Sequence, residues 1–263
     1  MGAVQKTVII VPCYNEENRL DSGKFLESST MNPELHFLFL NDGSTDKTGE
    51  RLEALCRMNP ARMQYIPLEK NVGKAEAVRK GFLSAFAQNF ERIGYWDADL
   101  ATPLEMIPKF CDIMEYTGKD IVMGARVRLL GRNIQRRAIR HYLGRLFATG
   151  ASMVIGMPVY DTQCGAKLFK NNGKLRIVFR KPFRVKWTFD VEILARFIML
   201  ERFMGGGRLK ESSLEYPLDE WIDIPGSKIK LMDFLLGALE LLKIFHFLRW
   251  PGVKKRYAEL IYH

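Results

Sequence analysis

The sequence predicts an α/β fold, a mainly parallel sheet covered by helices on both faces. Three observations carry that expectation. Short apolar runs alternate with segments of helical period through the first half of the chain. Polar, loop-forming residues gather directly after the apolar runs. No internal repeat, low-complexity stretch or Pro/Ser-rich linker breaks the pattern, so 263 residues read as one unit with a large core.

Thr7–Val11, Leu35–Leu40, Met63–Ile66, Ile93–Trp96 and Asp120–Met123 have strand length and little alternation, as expected of strands buried on both faces. Between them, helical spacing runs over Glu17–Ser28, Thr45–Met58, Ala75–Asn89 and Pro103–Tyr116. Such alternation implies right-handed crossovers, and it places a ligand at the carboxyl ends of the strands. The second half is more mixed. It reads as a long helix over Ile134–Ile155, a short polar stretch at Asp161–Lys167, and a helix over Phe189–Phe203 stopped by Gly205-Gly206-Gly207. A strand at Leu209–Pro217 and a last helix at Lys230–Leu248 follow.

The net charge of +10 calls for an anionic partner or serves plain solubility. Its distribution favours a local site. Between Ile121 and Tyr160 there is no Asp or Glu, yet Arg126, Arg128, Arg132, Arg136, Arg137, Arg140 and Arg145 all fall there. Arginine suits bidentate phosphate binding. No recognised nucleic-acid motif or interleaved aromatic pattern accompanies the charge, so nucleic acid is not the expected partner. Cys13, Cys56, Cys111 and Cys164 form no CxxC pair and have no histidine at ligand spacing, which argues for a reducing compartment and against zinc. Met1–Lys6 leads straight into a strand, leaving no room for a signal peptide, and no run of about 18 apolar residues predicts a spanning helix.

Asp97-Ala98-Asp99 follows an apolar run, and two carboxylates two residues apart at a strand end suit Mg²⁺ or Mn²⁺ holding a diphosphate. The same residues also suit a capped turn before the next helix. Asn41-Asp42-Gly43-Ser44-Thr45-Asp46 reads equally as a turn and helix cap. Order changes the balance: PCYNE follows the first strand, NDGSTD the second, KNVGKAEAV the third and DADL the fourth.

In that order the chain resembles a family-2 glycosyltransferase with the GT-A fold, especially the dolichyl-phosphate glucosyltransferase and dolichyl-phosphate mannose synthase branch. The resemblance runs from Val8 to about Leu248 and includes Gly124-Ala125-Arg126, DTQCGAKLF at 161–169, WTFDVE at 187–192 and Gly226-Ser227-Lys228. It implies one GT-A domain over 1–250, with 1–125 as the nucleotide-sugar half, 126–250 as the acceptor and membrane-facing half, and 251–263 as a tail. Pro12, Tyr14 and Glu16 would border the base, Asp42 would hold base or ribose, and Gly73 and Lys74 would lie near the diphosphate. Asp97 and Asp99 would carry the donor through Mg²⁺ or Mn²⁺. Arg126, Arg136, Arg140, Gln163 and Lys228 would meet the acceptor. Arg136 and Arg140, four residues apart, also share a helix face.

The implied reaction is inverting transfer of a hexose, glucose from UDP-glucose, to a polyprenyl phosphate. Transfer to a sugar hydroxyl and a GDP-mannose donor are the alternatives. Asp190 has three readings: a catalytic base, a carboxylate that positions without taking a proton, or a buried structural carboxylate paired with Arg or Lys. A phosphate monoester, with a second pKa of about 6, needs no base at neutral pH, whereas a hydroxyl acceptor does. Lys230–Leu248 is apolar apart from one sector of its helical wheel, which holds Lys230, Asp233, Glu240 and Lys243. It suits either a core helix or one lying in a bilayer interface, which would make the protein peripheral on the cytoplasmic side of a membrane.

Overall fold

In a computed structural model of the chain, the described residues are 6–135, 138–204, 208–224 and 231–249, together with Gly252 and Lys255. Side chains at 138–141 and 231–234 lie outside the description.

Strands β1 (Thr7–Cys13), β2 (Leu35–Asn41), β3 (Met63–Pro67) and β4 (Arg92–Trp96) alternate with helices α1 (Ser22–Met31), α2 (Thr48–Met58) and α3 (Lys74–Phe86). Helix α4 (Met106–Thr117) leads to β5 (Ile121–Ala125). The order in the sheet is β3-β2-β1-β4-β7-β5-β8, so β7 (Ala166–Lys170) lies between β4 and β5. It runs antiparallel to both. β8 (Ser213–Pro217) pairs parallel with β5. The expected fold class, strands of the first half and mainly parallel sheet are present.

Alternate residues of each strand feed different layers, as the pleat requires. Val8 and Ile10 join Val78 and Phe82 of α3 and Phe189 and Leu194 of α7 (Phe189–Met204) in one core. Ile9 and Val11 join Phe25, Leu52 and Phe110 from α1, α2 and α4 in the other.

The chain departs from expectation in three places. The short polar stretch Asp161–Lys167 runs into β7, a strand not anticipated, whose Leu168 and Phe169 are fully buried. Only five residues long, the strand gave a weak pattern, and its central position comes from non-local pairing. The long helix expected over Ile134–Ile155 begins later, as α5 (Ala138–Ile155), because Asn133–Gln135 form β6 and pair with β9 (Glu220–Ile222). The strand expected at Leu209–Pro217 starts with a helical turn, α8 (Leu209–Ser212). A helix not anticipated, α6 (Gly173–Arg180), is capped by the Asn172 side chain on the Leu175 amide (3.0 Å).

The last helix, α9 (Leu231–Arg249), has two faces. Leu241, Ile244, Phe247 and Leu248 are buried, whereas Leu235, Leu236, Leu239, Leu242 and Phe245 are exposed. The buried side meets the expectation of a core helix, and the opposite side leaves a row of apolar side chains exposed. Its neighbour α5 also exposes Tyr142, Leu146 and Met153. Among the described residues, no helix is long and apolar enough to cross a membrane.

Candidate active site

The loops at the carboxyl ends of β1 and β2 are laced by their own polar side chains. After β1 the chain turns at Asn15 with φ of 49°, a left-handed conformation that Asn tolerates better than most residues. The Asn15 Oδ1 accepts from the Thr45 amide (2.9 Å), and its amide donates to Ser44 Oγ (3.0 Å). The Glu16 amide donates to Thr48 Oγ1 (2.7 Å) and the Glu17 amide to Asp46 Oδ2 (3.2 Å). Asp46 also accepts from the Thr48 amide (3.0 Å), supporting the start of α2.

The next loop is fixed in the same way. Asp42, 3% exposed, accepts from the amides of Val72 (2.7 Å) and Gly73 (2.9 Å), which sets the entry into α3. Gly43, at φ 64°, lies against that loop, where a Cβ would come within 2.4 Å of the Asn71 nitrogen. Asp42 therefore borders the site with both carboxylate oxygens already bound to backbone.

Lys74 opens α3, and its Nζ lies 2.5 Å from Asp97 Oδ1. Burial lowers the Lys74 pKa, but the carboxylates of Asp97 and Asp190 more than offset it and hold the ammonium above its ordinary range. Asp97 follows β4, and its amide donates to the Gly165 carbonyl (3.1 Å). Its carboxylate covers Gly165, where a Cβ would stand 1.9 Å from Oδ2. The glycine of the DTQCG segment is thus required by close approach rather than by backbone dihedrals. Asp99 accepts from the Ala101 amide (3.2 Å) and lies 3.7 Å from Arg19. Burial, and then the Asp97 charge, raise the Asp99 carboxyl above the usual range.

Pro12, Tyr14, Glu16, Asp42, Gly73, Lys74, Asp97 and Asp99, all expected on the donor side, line one cavity. Arg19 and Trp187 join them. The antiparallel β7 explains how a second cavity meets the first. Reversal brings the lead-in to β7, residues 161–165, to the carboxyl ends of β4 and β5. There Lys74, Asp97, Asp99 and Trp187 are shared, and Arg126, Asp161, Thr162, Gln163, Phe147, Asp190 and Trp221 line the far side.

That far side is heavily paired. Arg126 donates to both oxygens of Asp161 (2.6 and 2.8 Å), whose attraction raises its pKa against the opposing effect of burial. Its guanidinium lies 5.3 Å from the Trp221 ring centre. Asp190, at the start of α7, is 4% exposed. Its Oδ1 accepts from Lys167 Nζ (2.6 Å) and from the Tyr95 hydroxyl. Burial, and then the Asp190 charge, push the Tyr95 pKa well up, which keeps it a donor. The Gln163 Nε2 and Thr162 Oγ1 are buried without hydrogen-bond partners among the described residues. Cys164 is fully buried, and burial raises its thiol to about 11, in keeping with packing rather than nucleophilic chemistry.

Arg136 and Lys228, expected at the acceptor, lie outside the described residues, as does the Arg140 side chain. Arg19, Lys167, Tyr95 and Asp161 were missed as site residues. Lys167 and Asp161 stood in a recognised stretch but carried no spacing signal, and Tyr95 and Arg19 had none. Among the described residues, no group of three or more His, Cys, Asp or Glu is arranged to hold a metal ion.

Comparison with known proteins agrees with this geometry. Residues 8–184 match the family described as Glycosyl transferase family 2. A dolichyl-phosphate beta-glucosyltransferase of Trichomonas vaginalis is 30% identical over 256 residues, covering 92% of this chain and 72% of the relative. The Homo sapiens protein of the same description is 29% identical, covering 84% and 68%. Among solved structures, glucosyl-3-phosphoglycerate synthase from Mycobacterium tuberculosis, in complex with Mn²⁺ and UDP-glucose, superposes with a TM-score of 0.63 at 16% identity. That match covers 94% of this chain and 81% of the other, and it supports the GT-A fold. With a family match over residues 8–184 and a relative 30% identical across most of both chains, the chain belongs to glycosyltransferase family 2.

Proposed function

We propose that this glycosyltransferase moves glucose from UDP-glucose, with inversion, to a polyprenyl phosphate of the dolichyl type. The observation that carries the reading is the pair of cavities joined across Lys74, Asp97, Asp99 and Trp187. The first takes the nucleotide sugar against Pro12, Tyr14, Glu16 and Asp42, with Gly73 and Lys74 beside the diphosphate. The second takes the acceptor against Arg126, Gln163 and Asp190. It is partly walled by Phe147 and Ala148 of α5, a helix whose outer side presents exposed Tyr142 and Leu146. An acceptor cavity beside an exposed apolar face suits a phosphate on a lipid tail. The exposed faces of α5 and α9 would rest on the cytoplasmic side of a membrane, with Lys243 and Arg249 toward anionic headgroups.

Asp97 and Asp99 fit a divalent cation: they offer oxygen donors only, and burial together with the Asp97 charge makes the Asp99 carboxylate costly to ionise without a cation beside it. Asp97 and Asp99 would hold Mg²⁺ or Mn²⁺, which would supply positive charge against the departing nucleoside diphosphate. Lys74 adds a second positive charge to the same place. The acceptor oxygen forms the new bond to the anomeric carbon as the bond to diphosphate breaks, and the electron pair leaves with the diphosphate. The acceptor phosphate, with a second pKa of about 6, is largely ionised at neutral pH and loses no proton in this step. Positioning is therefore the main task of the second cavity. Asp190, held by Lys167 and Tyr95, orients that wall.

The product tests the reading. Radiolabelled glucose should appear in a lipid that survives mild base and is split by mild acid, as expected of a glycosyl phosphate. A label stable to mild acid would mean a sugar-hydroxyl acceptor instead.

A further inference from the structure

One carboxylate of the surface helix α9 gathers four hydrogen bonds from the active-site wall. Glu240 Oε1 accepts from the Lys186 amide (2.9 Å). Its Oε2 accepts from the amides of Trp187 (3.1 Å) and Thr188 (2.8 Å) and from Thr188 Oγ1 (2.9 Å). These three residues form the turn that starts α7, two residues ahead of Asp190. Thr188 supplies the carbonyl that the Val191 and Glu192 amides bind at the start of α7, so its own amide has no intrahelical acceptor, and a carboxylate there also complements the helix dipole.

A second contact lies one turn earlier on α9. A Cβ on Gly237 would fall 2.4 Å from the Trp187 ring and 3.0 Å from Phe147. Trp187 therefore packs directly on the α9 backbone and edge-to-face with Phe147 (5.3 Å between ring centres), and it also lines both cavities. In sequence terms Glu240 fell within the polar sector of the helix, yet it turns inward, and Leu235, Leu239 and Leu242 hold the exposed side.

We infer that Glu240 is a positioning residue, fixing Trp187 and the first turn of α7 so that the acceptor wall moves with the surface helix. The kinetic part of this inference rests on the acceptor assignment proposed for the second cavity; the structural part does not.

The test compares Glu240→Gln and Glu240→Ala with the wild type by amide hydrogen exchange and by kinetics with a short-chain polyprenyl phosphate. The Ala variant should speed exchange at Lys186, Trp187 and Thr188 while leaving Leu100 and Ala101 unchanged. The Gln variant, which keeps one oxygen acceptor, should fall between. Acceptor KM should rise roughly tenfold or more in the Ala variant, with less change in UDP affinity. Unchanged exchange at 186–188 would remove the latch itself. Faster exchange with unaltered acceptor KM and kcat would show the contact to be structural only. If the wild type transfers nothing to the lipid phosphate, the functional reading fails and the exchange result still decides the latch.

Discussion

At the ends of β1–β4 the charged groups face a shared cavity in partly exposed pairs. Lys74 with Asp97 and Arg19 with Asp99 stand where a ligand reaches them. Around β5, β7 and α7 the charges are buried and matched to one another: Arg126 with Asp161, Lys167 with Asp190, and Arg196 with Glu192. The first arrangement allows exchange of partners when an anion or cation arrives. The second fixes shape, because a buried charge deprived of its partner costs about 3–5 kcal/mol. One part of the site thus carries ion pairs open to exchange, and the other carries pairs that fix the shape of a wall.

If that contrast holds, substitutions on the two sides fail differently. The largest effect on turnover is expected for Asp99→Asn. It should lower kcat by at least about 10²–10³-fold, as losing a charge-stabilising group does, with little change in melting temperature. Excess chelator should do the same to the wild type, and full activity in EDTA would break the proposed metal role of Asp97 and Asp99. Gly165→Ala comes next. The added methyl must displace the Asp97 carboxylate, and a shift of about 1 Å in such a group costs on the order of 10²-fold. Donor affinity and rate should fall together; an unaffected rate would mean that Asp97 can be moved freely.

Asp190→Asn should reverse the pattern, with a large loss of stability and a smaller loss of rate. Lys167, 1% exposed, would keep its charge without its carboxylate partner, so unfolding should become easier by about 3 kcal/mol or more. With a lipid phosphate, kcat should fall less than about tenfold, and activity should still decline as pH drops below about 6, where the acceptor phosphate gains a proton. A pH-insensitive loss of about 10²–10⁴-fold would instead make Asp190 the catalytic base. The smallest effect on chemistry is expected for Leu239→Glu with Leu242→Glu on the exposed face of α9. Binding to anionic vesicles should weaken, while turnover of a short, detergent-dispersed acceptor stays within twofold of wild type. Unchanged vesicle binding would remove that face from the membrane contact.

The same contrast explains what could be read from the sequence. The first cavity, proposed for the donor, follows local rules: apolar runs set strands, the next polar residues fall at their carboxyl ends, and order alone gathers Pro12, Asp42, Lys74 and Asp97. The second, proposed for the acceptor, depends on pairs far apart in sequence. Nothing near Arg126 announces Asp161, and nothing near Trp187 announces Glu240. β7 is short, and only its pairing with β4 and β5 makes it a central strand. Asp42 is a subtler case. Its position at the cavity was foreseen, but its two hydrogen bonds to the Val72 and Gly73 amides were not, because backbone amides leave no trace in residue identity.

The most direct measurement is a donor and acceptor panel. Purified protein with Mg²⁺ or Mn²⁺ would be offered UDP-glucose, UDP-galactose, UDP-GlcNAc and GDP-mannose against a short polyprenyl phosphate and, separately, a sugar-hydroxyl acceptor. The account predicts transfer from UDP-glucose to the lipid phosphate, with the other donors and the hydroxyl acceptor far slower. Efficient transfer to the hydroxyl acceptor, or preference for GDP-mannose, would contradict it.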